Sequence, residues 1–357
     1  MYEFRKISLH ELEKFESCSN FPSCQFKWMD TWFSIFKDVD NNVFGYKKTP
    51  CIIGAYMEDV LVAVVPLVKL SRTFFKCIRL DFVEFLGQQW CSMGNDIIAT
   101  RDLDDNFTED LVFWIKKNVH FHFLFFKYIP KLSVLTRKFR MFNYAGAPSI
   151  QVSDYPNYEA FSSQVYTSRF RSDLRKRHRK IKREGFDYEI FHDNINDSSL
   201  QEIRRIAKSK EIDGKKFLYG DKEKEAFHLQ MYKSFPSKVV FLSLNKQKVA
   251  YGTFIDCNGE RIGVDAAFDR DYRSYGVGIH CTDLIIQSSF KDGKKKMSFG
   301  MGLDSYKFQF ANQIDLFYMC FDFKFRIKAI LALPYFLYRL KKEERQVLEK
   351  LRLAEVK

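Results

Sequence analysis

Arg273-Ser274-Tyr275-Gly276-Val277-Gly278 is the stretch of this 357-residue chain whose residue types and spacing point most directly to chemistry. It follows a strand-like run at 260–267 and opens a helical stretch at 279–291. A glycine turn that opens a helix leaves the first backbone N–H groups unpaired and aimed at one point, with the positive end of the helix dipole behind them. A pyrophosphate suits that point. The glycines permit positive φ and close backbone approach, and Arg273 can add a charge-assisted contact.

The elements that must position this turn read as a meander. Residues 239–244 form an apolar run, 245–248 a polar turn and 249–255 a second strand. Asn258-Gly259 then gives a strong hairpin signal, since both residue types tolerate positive φ, before a third strand at 261–268. After the helix come a short strand at 295–300 and the stretch Gly302-Leu303-Asp304-Ser305-Tyr306-Lys307.

Four groups of residues carry a family resemblance. They are Ser168-Arg169-Phe170-Arg171-Ser172-Asp173-Leu174-Arg175, with Arg179-Lys180-Ile181 and Gly185 after it; Ala267-Phe268-Asp269 before Tyr272; the turn at 273–278; and the stretch at 302–307. Over residues 156–320 the chain resembles the GNAT acyltransferases, and within them the cellulose-biosynthesis-type and Fem-like branch. The resemblance implies that the turn is a coenzyme A pyrophosphate loop, with Ala267, Phe268, Arg273, Tyr275, Gly276, Val277 and Gly278 against the donor. It makes Tyr306 the acid that protonates the leaving thiolate. Lys307 is placed facing an acceptor pocket, holding phosphate or stabilising developing negative charge.

Acyl transfer from a thioester to an amine needs a positioned amine, a base, a polarised carbonyl and an acid for the thiolate. Backbone N–H groups at 266–268 can polarise the carbonyl, and Asp265 is the candidate base, directly or through water. A structural or substrate-orienting Asp265 is equally open. Asp304 and Arg175 are the candidates for holding the acceptor amine and an acidic group of the acceptor.

The N-terminal half carries a fainter echo of the same design. Runs at 51–57 and 60–68 flank a Glu58-Asp59 turn, and strand-like runs follow at 78–86 and 120–126, with no glycine turn of the same kind after them. The expected fold is α/β (α+β): two tandem GNAT-like domains, each a mixed, mostly antiparallel sheet flanked by helices. The expected boundaries are 1–155 for a degenerate copy, 156–323 for the acyltransferase copy with the donor site, and 324–357 for a basic amphipathic helical tail. A chain of this length exceeds the usual limit for one core, and 46% hydrophobic residues can fill two.

Charge is concentrated in the second half, which holds 39 Lys and Arg against 27 Asp and Glu, whereas residues 1–155 hold 19 against 18. Between Arg169 and Arg183 nine basic residues accompany one acid, around an apolar stripe of Phe170, Leu174 and Ile181. Thr167 or Ser168 can cap this helix and Gly185 can end it. Either a solvated face docked on the core or a site for a phosphate-rich partner fits; no helix-turn-helix, zinc-finger or RNA-binding signature accompanies it. The tail, with ten basic and four acidic residues from Lys324 on, suits a membrane interface or packing on the protein, and Pro334 is expected to break or kink it.

No apolar run approaches the about 18 residues of a membrane span. The eight cysteines lack a C-x-x-C pair and read as reduced structural thiols, and His120 and His122 read as a sheet-face pair rather than metal ligands. The sequence therefore predicts a cytoplasmic N-acyltransferase using acetyl-CoA or another acyl-CoA, without metal, with peripheral contact at the inner membrane face open through the tail. The expected acceptor is a small amine, nucleotide-activated or free: an amino sugar or other surface-polysaccharide precursor. Two alternatives stand beside it, an aminoacyl-tRNA-dependent Fem-like transferase and a non-catalytic binding or scaffold protein.

Overall fold

The structure, a computed structural model, describes residues 2–19, 21–74, 77–214 and 217–355. Contacts divide the chain into two compact units, Met1–Gly146 with Asp315–Lys357, and Ala147–Ile314.

In the first unit β1 (Glu3–Lys6) leads through α1 (Phe26–Phe36) to the antiparallel strands β2 (Tyr46–Met57), β3 (Val60–Phe74) and β4 (Ile78–Phe85). The β2–β3 turn places Glu58 and Asp59 at φ of 49° and 62°, the conformation a two-residue hairpin requires. The short β5 (Ile98–Ala99) pairs with β3; α2 (Phe107–Asn118) then crosses to β6 (Phe123–Pro130), which lies parallel to β4. Helical spacing brings Phe107, Leu111 and Ile115 to one face of α2, where all three are fully buried with Val65, Val83 and Leu124 of the sheet. Each such side chain contributes about 1.5–3 kcal/mol of burial.

β7 (Met141–Gln151) carries the chain into the second unit. There follow α3 (Tyr158–Val165), α4 (Ser168–Arg183), β8 (Tyr188–Asn194), α5 (Asp197–Lys208) and α6 (Lys222–Ser234). The expected meander appears as β9 (Ser237–Leu244), β10 (Gln247–Cys257) and β11 (Glu260–Phe268), then α7 (Val277–Lys291) and β12 (Lys296–Ser298), which runs parallel to β11. Helix α5 covers one sheet face, packing Leu200, Ile203 and Ile206 on Val239, Phe241 and Tyr251. On the other face α3, α4 and α7 bury Phe161, Ile181 and Ile286 with Val240, Leu242 and Ala250. Thr167 caps α4, its hydroxyl accepting the Phe170 N–H at 3.1 Å, and Gly185 follows the helix at φ +76°.

Both units thus repeat one order: antiparallel meander, helix, parallel strand. The last strand is exchanged. β13 (Gln313–Phe323) pairs antiparallel with β6, whereas the second half of β7 pairs with β12. The two compact units divide at 146/147 and 314/315, close to the expected 155/156 and 323/324. The tail is one helix, α8 (Ile327–Glu355), with Pro334 inside it rather than at a break. It packs on the first unit through Phe336, whose ring lies 4.5 Å from Phe123 and 5.8 Å from Phe82. Phe325, Ile327, Leu331 and Tyr338 remain exposed. Among the described residues no helix is long and apolar enough to cross a membrane. His120 and His122 precede β6 instead of sharing a strand; His122 Nδ1 accepts the Asp81 N–H at 3.0 Å.

Candidate active site

β11 and β12 pair only over Glu260–Ile262 and Lys296–Ser298, then part. Two glycines set the parting. A Cβ on Gly300, which has φ +71°, would stand 2.6 Å from the carbonyl oxygen of Gly263, so only a bare backbone passes there. Beyond that crossing, the β11 edge at 263–268 has no strand beside it on the β12 side among the described residues. Its backbone groups are open to hydrogen-bond a ligand laid in the gap.

At the far end of β11 the chain makes a tight turn. Asp269 caps it by accepting the Asp271 N–H at 3.2 Å, and Gly276, at φ +65°, ends it as the N-cap of α7 with no side-chain cap. Val277 and Gly278 keep N–H groups without a protein acceptor among the described residues. A Cβ on Gly278 would meet the Phe268 ring at 2.8 Å, which explains the second glycine of the motif. The first unit closes the matching position: the Asp104 carboxylate accepts the N–H groups of Asn106 and Phe107 at 3.0 Å each, satisfying the start of α2. An anion is already built in there.

The charged partners of the turn differ from expectation. Arg273 is pinned to Asp213, which also accepts Arg270 Nε at 2.7 Å; the two guanidinium groups hold the Asp213 carboxyl below its ordinary pKa. Arg177 of α4 instead lies over the turn, its Nη1 2.3 Å from where a Cβ on Gly276 would stand. Tyr275 faces α4: its hydroxyl donates to Glu184, and Lys180 Nζ sits 4.6 Å from the ring centroid. Ala267 is buried, and the Phe268 carbonyl accepts from Ser209 at 2.9 Å.

Asp265 points to the α5 face, two residues from the buried Ala267. Its carboxylate accepts the Tyr251 hydroxyl and Lys210 Nζ, the latter at 3.3 Å. Burial and this neighbouring charge hold the Tyr251 phenol protonated, its pKa well above the ordinary value. Thr253 Oγ1 bridges the backbone of Asp265, donating to its carbonyl and accepting its N–H at 3.1 Å each, and lies 2.9 Å from the Tyr232 hydroxyl. Asp265 is thus held rigidly, with lone pairs left for a further donor.

The 300–307 loop lies beside it. Tyr306 is 39% exposed, and its phenol is pushed up to about 12 by lost solvation, then by the charges of Asp304 and Asp265. Asp304 is exposed. Lys307 is engaged within its own loop. Its side chain is buried and its ammonium donates to the carbonyls of Gly300, Met301 and Gly302 at 3.0–3.2 Å, with Asp304 at 3.6 Å. All three N–H donors are committed, so it fastens the loop rather than facing an acceptor. Burial lowers its pKa.

Asp265 lies on β11, the glycine turn follows the end of that strand, and Asp304 and Tyr306 lie on the loop after β12, while Arg175 lines a groove beside α3 and α7. Sequence reasoning missed Lys210, Tyr251, Thr253 and Arg177. Tyr251 and Thr253 had a legible signal, as alternate residues on a strand paired to the one carrying Asp265. Lys210, 55 residues from its partner, had none.

These features define an acyltransferase-type fold in the second unit, and residues 168–308 match the family described as Acetyltransferase (GNAT) domain. Over 93% of this chain and 99% of the other, the structure is similar to that of FemX, at 10% identity and a TM-score of 0.58. A conserved protein of unknown function from Bacteroides thetaiotaomicron VPI-5482 gives a TM-score of 0.54 at 13% identity, covering 90% of this chain and all of that one. At such identities the likeness is one of fold. The chain matches no curated protein.

Proposed function

We propose that the protein is an N-acyltransferase that moves an acyl group from acyl-CoA to an amine acceptor, with the transfer site in the second unit. The observation that carries this reading is the uncapped glycine turn of α7 at the end of a strand whose edge is freed by the parting of β11 and β12. A diphosphate fits the first, and an extended pantetheine arm can hydrogen-bond the second. The amides of Val277 and Gly278 and the guanidinium of Arg177 take the pyrophosphate, while Arg273 stays paired with Asp213.

In this reading the amine attacks the thioester carbonyl, whose developing negative charge is met by N–H groups of the β11 edge. The C–N bond forms, Asp265 takes the amine proton directly or through water, and the C–S bond breaks as Tyr306 gives its proton to the thiolate. Lys210 and Tyr251 hold Asp265 in place. Asp304, exposed beside Tyr306, orients the acceptor amine. The acceptor is an amino sugar or related polysaccharide precursor; the expected location is the cytoplasm, with α8 offering exposed apolar side chains among basic ones to the inner membrane face.

The Fem-like alternative draws on the fold likeness over 93% of the chain and on the nine cations of α4, which suit a nucleic-acid backbone. Coenzyme A release measured with acetyl-CoA and a panel of amino sugars tests the first reading. No release, with salt-resistant tRNA binding, replaces it by the second.

A further inference from the structure

Between α3, α4 and α7 the second unit holds an open groove of about 880 Å³. Three observations distinguish it from an ordinary surface dip. His280, on α7, is 6% exposed, and its Nε2 has no hydrogen-bond partner among the described residues. Burial, with His178 and Arg177 nearby, lowers its pKa to about 4, so at neutral pH the ring is uncharged and seeks a polar neighbour.

Arginines line the α4 edge at every fourth residue. Arg171 is spent on backbone, donating to the carbonyls of Ser162, Ser163 and Tyr166. Arg175 and Arg179, the next two in the row, line the same groove, are exposed, and have neither an acid nor a carbonyl as partner among the described residues. At this spacing two guanidinium groups can converge on one dianion, since Cβ atoms four residues apart stand about 5–6 Å from each other.

The groove's one carboxylate is already satisfied. Asp283 accepts the hydroxyls of Tyr158 and Tyr166 at 2.7 Å each and Gln287 Nε2 at 3.0 Å, so it leaves the arginines free. The same tyrosines, with Tyr188 and Leu284, give the groove aromatic and apolar walls.

We propose that this groove binds a small phosphate monoester with a planar or apolar body, the phosphate between Arg175 and Arg179, the body along Tyr158 and Tyr188, and a polar atom at His280 Nε2. This site is separate from the glycine turn and stands whether or not the transfer reading holds.

Phenyl phosphate is the probe, titrated calorimetrically into the whole protein at low salt, with phenol and inorganic phosphate as controls. Saturable one-to-one binding is expected, about tenfold tighter than for inorganic phosphate, and weakened at least about tenfold in Arg175→Gln/Arg179→Gln, whose substitutions are exposed and leave folding intact by circular dichroism. The ring nitrogen resonance of His280 should shift on addition of the probe. Absence of saturable binding, or unchanged affinity in the double variant, overturns the proposal. So does competition by saturating coenzyme A, which would move the phosphate to the glycine turn.

Discussion

The guanidinium of Arg177 rests on Gly276, close enough that a Cβ there would come within 2.3 Å of its Nη1. A cation at the start of a helix faces the positive end of the dipole, an arrangement that gains stability when an anion enters between them. Helix and arginine thus surround one point with positive charge from two elements distant in sequence.

Gly276→Val places a β-branched side chain at φ +65° and against Arg177. The strain costs about 1–2 kcal/mol of stability. Coenzyme A affinity, measured by calorimetry, should fall at least about tenfold, while the variant still melts cooperatively within several degrees of wild type. Equal affinity in a folded variant would falsify the donor-loop assignment.

Tyr306→Phe removes only a hydroxyl. If that hydroxyl protonates the thiolate, turnover drops by about 10² to 10⁴ with donor affinity unchanged. Wild-type turnover would leave Tyr306 a wall of the site.

Lys307→Met tests the fastening role. Losing the ammonium strips three carbonyls of their donor, for which a cost of roughly 1–3 kcal/mol is expected, read as a lower urea midpoint together with lower turnover. A raised acceptor KM at unchanged stability would restore the acceptor-facing role instead.

His228 is buried beside the Asp265 cluster, neither ring nitrogen has a partner among the described residues, and burial lowers its pKa from 6.5 to about 4. Between those values the unfolded chain binds the proton and the folded one does not, so stability rises with pH through this window and is lost as pH falls through it. His228→Phe should therefore cut the loss of unfolding free energy between pH 7.5 and pH 5 by about 2 kcal/mol. Urea melts at both pH values check this; identical pH dependence in the two proteins would contradict it.

Arg169, Lys176 and Arg183 are three exposed cations of α4 outside both the glycine turn and the groove. Replacing them with Gln should leave acetyl-CoA affinity within a few-fold. Under the Fem-like alternative the same protein loses tRNA affinity, and the slope of log K against log salt flattens by about two to three units. Filter binding across a salt series separates the two.

Features with local causes were legible in the sequence. Asn258-Gly259 turns because those residues accept positive φ, α4 starts at Thr167 because a hydroxyl can cap it, and Gly276 opens α7 because a glycine can end one turn and begin a helix. These signals fixed the meander, the helix after it and the candidate donor turn, and with them the α/β class. Everything decided by pairing across long stretches of chain lay outside local reach. The exchange of β7 and β13 depends on strand pairs that lie 145–200 residues apart in sequence. Lys307 was legible as a lysine near a site, but only the folded loop spends its three donors on carbonyls. Arg273 and Arg177 were both readable as cations; which one covers Gly276 follows from Asp213 holding the first and from α4 packing against the turn. A residue type states what chemistry a side chain can do, and the tertiary contacts determine which of its hydrogen bonds and charges remain free to do it.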